Sequence, residues 1–405
     1  MDLMYKTNGL RIAFLSNMNN NHFALARYLR DEGFDCELLL FTDEQDHFHP
    51  KCDTFTLEFM TWIKRISWGS ERQLLTINPK VIQADLDKYD VFIGCGLAPA
   101  FLCKAGLLLD IMIPYGNDIW SETMYRFALP HYIAKSISST YFQRKGLSQS
   151  KIVNCALGAG IYGSRIRKLC SNSLFWKFDI PMVYHRQYAD PVVNGGSHWI
   201  SEFEAVRNNA DLMVVAHGRH VWGNASDPNV KGNNLLIKAW HLFCQRNPSI
   251  KAKLVFIEYG QNVTESKQYV TDLGLNASVK WFPQMFRKDI MPALLMADIV
   301  AAEFVHSWIG GGVIFEALVA GKPLLMHSIE HEKSTTMDNL YPIYNAKTPV
   351  QIAARLQEYV ENKERGKEIG LQGQYWYKKY VVDKALTRYS QYFEERAAEL
   401  GKVPR

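Results

Sequence analysis

Three consecutive glycines, Gly310, Gly311 and Gly312, stand in the stretch HSWIGGGVIFEALVAGKPLL immediately before an apolar helical run that contains Glu316. Glycine lets another molecule approach the backbone closely and leaves N–H groups open. A helix N-terminus adds free donors and a positive dipole end. Together they describe a seat for an anion, although a Gly-rich turn also serves strand-to-helix packing. Two cations at other strand ends of the same half favour the anion: Arg219 follows DLMVVAHG, and Lys231 precedes Gly232 at the head of NNLLIKAW. Arginine offers a planar fork to a phosphate pair and lysine a compact point charge. Either cation alone reads as a surface residue. The order Arg, Lys, glycine turn, Glu at successive strand ends is harder to obtain by chance.

Those positions require elements that bring strand ends together. RIAFLS, CELLLF, DVFIGCG and IMIPYG are buried-strand runs, and HFALARYLRDEGF has helical spacing and stops at Gly33. A second series begins near Ala210 with DLMVVAHG and continues through NNLLIKAWHLFCQR, KLVFIEYG, SVKWFP, ADIVAAEF and KPLLMHS. Strands separated by helices form parallel β-α-β units. The predicted fold is therefore α/β, with two Rossmann-like domains facing across a cleft lined by the carboxyl ends of both sheets, where open α/β sheets bind ligands. The expected boundaries are 1–200 and 201–370, with amphipathic helices over 371–405 packing back toward the N-terminal domain.

The second half resembles a known family. GRH, VKGNNLLIKAW, LVFIEYGQNVTESKQYVTDLGL, VKWFPQM, ADIVAAEF and GGGVIFEALVAGKPLL are similar to the donor half of GT-B glycosyltransferases, specifically the retaining family 4 type, and the resemblance covers roughly Asp211 to Tyr392. It implies that Arg219 and Lys231 grip the donor diphosphate, that Glu316 holds the nucleotide ribose hydroxyls, and that Gly310 to Val313 approach the diphosphate and sugar. It further implies a UDP- or GDP-linked sugar as co-substrate and no metal or other cofactor. The chain departs from the pattern at Trp308, where many members carry the first of two glutamates; Glu303 is the substitute candidate, with strand capping as its other reading. The segment HVWGNASDPNV is longer than usual and reads as part of a donor lid.

In the first half, PYGNDIW lies at a strand end and looks like the acceptor-side turn of such enzymes. Asp118 is the candidate for orienting an acceptor hydroxyl, Trp120 for stacking on a sugar, and Asn117 for a polar contact. An Asn-Asp turn capping the next helix is the competing reading. The loop SNMNNNHF places Asn19 and His22 on the same acceptor side. DLD at Asp85 to Asp87, HFH at His47 to His49, and His327 with His331 resemble metal-binding spacings but lack companion ligands.

Composition bounds the rest. The chain has 405 residues, 47% hydrophobic and 21% charged, with a net charge of +5 that is too mild and too evenly spread for a nucleic-acid binder. Seven scattered cysteines without a C-x-x-C pair disfavour a disulfide framework and fit a reducing cytoplasm. Neither a signal-peptide pattern nor a membrane-spanning run is expected. From Arg144 to Arg186, eight Lys or Arg residues stand against Asp179 alone, interleaved with Phe175, Trp176 and Phe178. That mixture suits either a solvated face or the surface of an anionic membrane presenting a lipid-linked acceptor. The expected function is sugar transfer from a nucleotide diphosphate to a saccharide or lipid-linked saccharide, in surface polysaccharide or glycolipid assembly. Its rivals are a nucleotide-sugar 2-epimerase and a non-catalytic sugar-nucleotide-binding protein.

Overall fold

The computed structural model describes residues 9–125, 127, 130–155, 161–189, 196–224, 227, 229–332 and 340–402. The chain divides into two compact units: unit 1 is Met1–Cys52, Thr56–Tyr184 and Val381–Arg405, and unit 2 is Asp53–Phe55 and His185–Tyr380. Both borders differ from the expected 200 and 370 because they follow packing, which turn residues do not report. Tyr184 stays with unit 1 through its ring against Tyr28 and its hydroxyl donated to Asp31 at 2.7 Å. Trp376 and Tyr377 stay with unit 2, packed on Tyr341 and Phe315.

Unit 1 is a seven-stranded parallel sheet. Its strands are β1 (Arg11–Leu15), β2 (Asp35–Leu40), β3 (Ile63–Arg65), β4 (Val91–Gly94), β5 (Ile111–Met112), β6 (Ile152–Asn154) and β7 (Leu174–Trp176), in the order β3-β2-β1-β4-β5-β6-β7. The strands read as unbroken apolar runs because helices cover both faces of a parallel sheet. Helix α1 (Asn21–Asp31) ends where Gly33 takes a φ of 90°, and Phe23, Leu25 and Leu29 on it are fully buried. Helix Lys384–Glu399 completes this unit: Tyr389 and Phe393 are fully buried, Asn154 donates to the Tyr389 hydroxyl at 3.1 Å, and Tyr392 donates to Asp110 at 2.9 Å.

Trp176 and Phe178 of the basic and aromatic segment, read as either a solvated face or a membrane surface, belong to this packing. Trp176 and Phe178 are buried, stacked on each other and set edge-on to Tyr389. The cations beside them are Arg388 and Lys384 of the same helix. Asp85 of the DLD triplet lies on helix Pro79–Leu86 and accepts from the Trp68 indole at 2.8 Å, a structural bond.

Unit 2 repeats the design with β8 (Leu212–Ala216), β9 (Ala252–Glu258), β10 (Val279–Pro283), β11 (Ile299–Ala301), β12 (Leu324–Met326) and β13 (Tyr344–Asn345), all parallel, in the order β10-β9-β8-β11-β12-β13. Helices α2 (Asn233–Arg246), α3 (Arg287–Met296), α4 (Gly312–Val319), α5 (Pro349–Glu361) and α6 (Lys363–Trp376) clothe it. Helix α5 starts at Thr348 and Gln351, which cap each other's backbone, with Pro349 in the first turn. In each sheet the strand order reverses beside its first strand, between β1 and β4 and between β8 and β11. Such switch points open a crevice at the carboxyl ends. Among the described residues no helix is long and apolar enough to cross a membrane.

Candidate functional site

In unit 2 the switch point gathers most of the predicted donor residues. His217 and Arg219 leave the end of β8, Glu303 leaves the end of β11, and Lys231 lies between them in sequence, before α2. The Lys231 backbone ties these loops together: its N–H donates to the Val221 carbonyl at 2.8 Å and its carbonyl accepts from Phe304 at 2.9 Å. The ammonium of Lys231 pairs with Glu303, which is buried. Glu303 therefore orients the lysine. Arg219 is half-buried, with one contact of 3.4 Å to the Asn229 side chain. The 220–230 segment read as a lid lies partly outside the described residues, at 225, 226 and 228.

The glycine turn combines a left-handed backbone with open space. Gly311 precedes α4 at a φ of 138°, which side-chain-bearing residues rarely adopt. A Cβ at Gly311 would meet nothing within 4 Å, and one at Gly312 would meet only the Glu316 Oε1 atom, at 4.0 Å. The space above the turn is open. Gly310 and Val313 flank it, half-buried.

Beneath the turn lies a charge network that the sequence reading did not contain. Glu316 is buried, and both its oxygens engage protein donors: Arg287 Nε at 2.6 Å from Oε1 and His217 Nε2 at 2.6 Å from Oε2. Arg287 also donates to Asp53 at 2.6 Å. Burial alone would raise the Glu316 carboxyl, but Arg287 and His217 overcome it and hold it down to about 2. The same two carboxylates outweigh burial at Arg287 and raise its pKa. Glu316 is thus a fixed, ionised acceptor whose oxygens each retain a second lone pair. His217 and Arg287 could have been found by the strand-end rule that found Arg219, since His217 is two residues upstream and Arg287 opens the helix after β10. Nothing in the sequence pointed to Asp53, 234 residues from Arg287.

In unit 1 the acceptor-side candidates divide into buried and exposed. Asp118 is fully buried and accepts N–H groups from Gly116 at 3.0 Å, Tyr115 at 3.2 Å and Gly96 at 3.3 Å. Both its carboxylate oxygens are turned to backbone N–H groups. The turn after β5 leaves N–H donors facing inward, and the aspartate satisfies those of Tyr115 and Gly116. Burial raises its carboxyl to about 7 despite those bonds. His22 is also buried, with Nδ1 against the Ser16 carbonyl at 2.8 Å, and burial lowers its pKa to about 4. Asn19 is exposed in a left-handed conformation with φ 51°, and Asn117 is exposed. Trp120 is exposed and carries the Arg165 guanidinium 5.2 Å over its ring.

Among the described residues no three His, Cys, Asp or Glu side chains cluster to hold an ion. His331 bonds the Ser328 hydroxyl and the Tyr341 carbonyl, both at 2.7 Å. His47 and His49 lie in the loop after β2.

Two parallel six- and seven-stranded Rossmann-like units of this order define a GT-B fold. Residues 225–376, which contain Lys231, Glu303, the glycine turn and Glu316, match the family model of glycosyl transferases group 1. Anabaena HepE in complex with UDP and glucose superposes with a TM-score of 0.60 at 15% identity, over 95% of this chain and 100% of that one. Sucrose-phosphate synthase from Thermosynechococcus elongatus gives 0.58 at 11% identity, over 96% and 100%. A candidate UDP-N-acetylglucosamine 2-epimerase from Listeria monocytogenes gives 0.58 at 13%, over 95% and 97%. At these identities the likeness concerns the fold. Among curated proteins none matches the sequence.

Proposed function

We propose that the protein is a retaining glycosyltransferase of the family 4 type, which moves a sugar from a nucleoside diphosphate to a saccharide or lipid-linked saccharide acceptor. The observation that carries this reading is the buried Glu316, held by Arg287 and His217 under an open glycine turn at the switch point of unit 2. A carboxylate accepts from two vicinal hydroxyls, as a ribose presents them. Arg219, Lys231 and the N–H groups at the start of α4 supply positive potential where a diphosphate departs. The match of residues 225–376 to the glycosyl transferases group 1 model supports the same assignment. So does the fold shared with HepE, whose complex holds UDP and glucose.

In the proposed reaction the bond from the sugar's anomeric carbon to the diphosphate oxygen breaks. A bond to the acceptor oxygen forms on the same face, and the departing phosphate oxygen takes the acceptor proton. Positioning and charge stabilisation carry such a step, and no strong protein base is needed. With Asp118 turned inward, the acceptor contacts on unit 1 fall to Trp120, Asn117 and Asn19. The charge of the leaving group is met by side chains and backbone, with no metal called for. Surface polysaccharide or glycolipid assembly is the setting proposed for this activity.

Calorimetric titration with UDP, GDP and their sugars tests the reading. One nucleotide class should bind, and Glu316→Ala and Lys231→Ala should each weaken it by about 1–3 kcal/mol. Gly312→Ala should leave thermal stability unchanged, since its Cβ has open space, and still cut affinity by crowding the ligand. Absence of binding by the folded protein, or unchanged affinity in Gly312→Ala, would remove the donor site. Trp308 is exposed where the family's first glutamate would fall, and this favours one rival, a binding protein without turnover. Release of nucleoside diphosphate with an acceptor panel separates the two.

A further inference from the structure

The helical stretch that follows the candidate acceptor turn is built inside out. Helix Pro130–Lys135 runs through the π-helical turn Ser136–Thr140 into helix Tyr141–Gln149. Its inward positions are Ser136, Ser138, Ser139, Thr140 and Gln143, all buried. Two of their hydroxyls are bonded there: Ser139 donates to Glu71 at 2.7 Å and Ser138 to the Ala134 carbonyl at 2.8 Å. Three large apolar residues of its first turns point the other way, while Leu147 further on packs into the core. Ile133, Ile137 and Tyr141, four apart and so on one face, are all exposed. A surface helix of a globular protein ordinarily buries its apolar stripe.

The loop leading into this helix extends the apolar face. Met124, Tyr125 and Phe127 are exposed, and the rings of Tyr125 and Phe127 stack at 5.9 Å. Phe127 and Ile137 are each 62% exposed, and it is their grouping with Tyr125, Ile133 and Tyr141, not single exposure, that marks the face. Cations rim the face. Arg144 lies 5.4 Å over the Tyr125 ring, Lys145 lies 5.9 Å from the Tyr141 ring, and Arg165 covers Trp120. The nearby carboxylates Glu71 and Glu122 are both paired with Lys135, at 2.8 and 3.3 Å.

We propose that this face docks on an anionic lipid surface, with the Ile133, Ile137, Tyr141 stripe and Phe127 entering the headgroup boundary and Arg144 and Lys145 meeting lipid phosphates. Apolar insertion backed by cations is what holds a helix in an interface. A second copy of the chain is the poorer occupant, because a symmetric contact through this face would set Arg144, Lys145 and Arg165 against their own kind. Because the turn Pro114–Trp120 directly precedes the face in sequence, docking brings the candidate acceptor contacts to the interface. The acceptor class is then an amphiphile whose sugar projects from the lipid. That last step rests on the transferase reading, whereas docking itself does not.

Co-sedimentation of the full chain with vesicles of phosphatidylcholine, alone or mixed with phosphatidylglycerol, tests the proposal. Binding is expected on the mixed vesicles only, and Phe127→Asp and Ile137→Asp should each weaken it at least about tenfold. Both variants should melt with the parent protein, because neither side chain is buried. No sedimentation of the parent with anionic vesicles overturns the proposal, and so does undiminished binding by both variants. A solution dimer that Ile137→Asp dissociates would assign the face to self-association instead. Titration of the same variants with UDP and GDP keeps the two readings apart: lost vesicle binding with nucleotide binding intact supports docking through this face, whereas a parent that binds nucleotide but not anionic vesicles removes docking alone.

Discussion

Arg287 is buried between Asp53 and Glu316, so its charge is matched twice and Glu316 stays ionised without solvent. Breaking such a buried network by removing one member costs about 3–5 kcal/mol, because the remaining charges are left unpaired. Arg287→Met should therefore lower the urea midpoint of unit 2 by a corresponding amount, with a pH signature. In the parent, the carboxyl is held down to about 2, so its contribution is fully present above the ordinary carboxylate range and is lost only as pH falls toward 2. In the variant, burial without the arginine raises the Glu316 pKa. Stability should then recover as pH drops from 8 to 5, a range over which the parent's Glu316 contribution is constant. A variant whose midpoint is flat across that range would show that Arg287 does not set the charge of Glu316. The residues of this network also mark where sequence reading stops. The glycine turn, Arg219 and Lys231 were legible because parallel β-α units bring their loops to one edge of a sheet. Asp53 was not, since its partner is set by tertiary packing alone. Asp118 was legible as a turn residue but not in its direction, which is decided by how many backbone N–H groups the turn leaves inward.

At the scale of elements, helix Lys384–Glu399 is a structural part of unit 1. Phe393 is fully buried against Phe34 and Tyr389, with ring centroids 5.0 and 6.1 Å away. Phe393→Ala should destabilise unit 1 by about 3–5 kcal/mol, the usual cost of deleting a buried aromatic ring. Tyr389→Phe should cost only about 1 kcal/mol, for the bond from Asn154. Equal effects from the two, measured by urea denaturation, would place the helix outside the core. The strands were readable as apolar runs, and α1 and α2 as helical periods, the first closed by Gly33. The exposed helix beyond Pro130 was not readable in the same way. Periodicity reports that one side is apolar and assumes that side faces the core, whereas here the serines and Thr140 do. The cluster at Trp176 and Phe178 failed by the opposite assumption, that cations nearby in sequence mean solvent.

Across the whole molecule, the two units share one strand plan but differ in how the chain supplies them. Unit 2 is continuous from His185 to Tyr380 apart from Asp53–Phe55, while unit 1 is closed by Val381–Arg405. A chain ended at Tyr380 should still bind nucleotide through unit 2, yet lose the cooperative melting of unit 1; retained melting of both would contradict the assigned packing. This arrangement sets an order of events during synthesis. As a ribosome works from residue 1 toward 405, every segment of unit 2 has emerged before the helix that carries Tyr389 and Phe393 exists. The half made first is therefore finished last: β1 to β7 wait, with Phe34 and Asn154 unpaired, while the proposed nucleotide-binding half can already have folded.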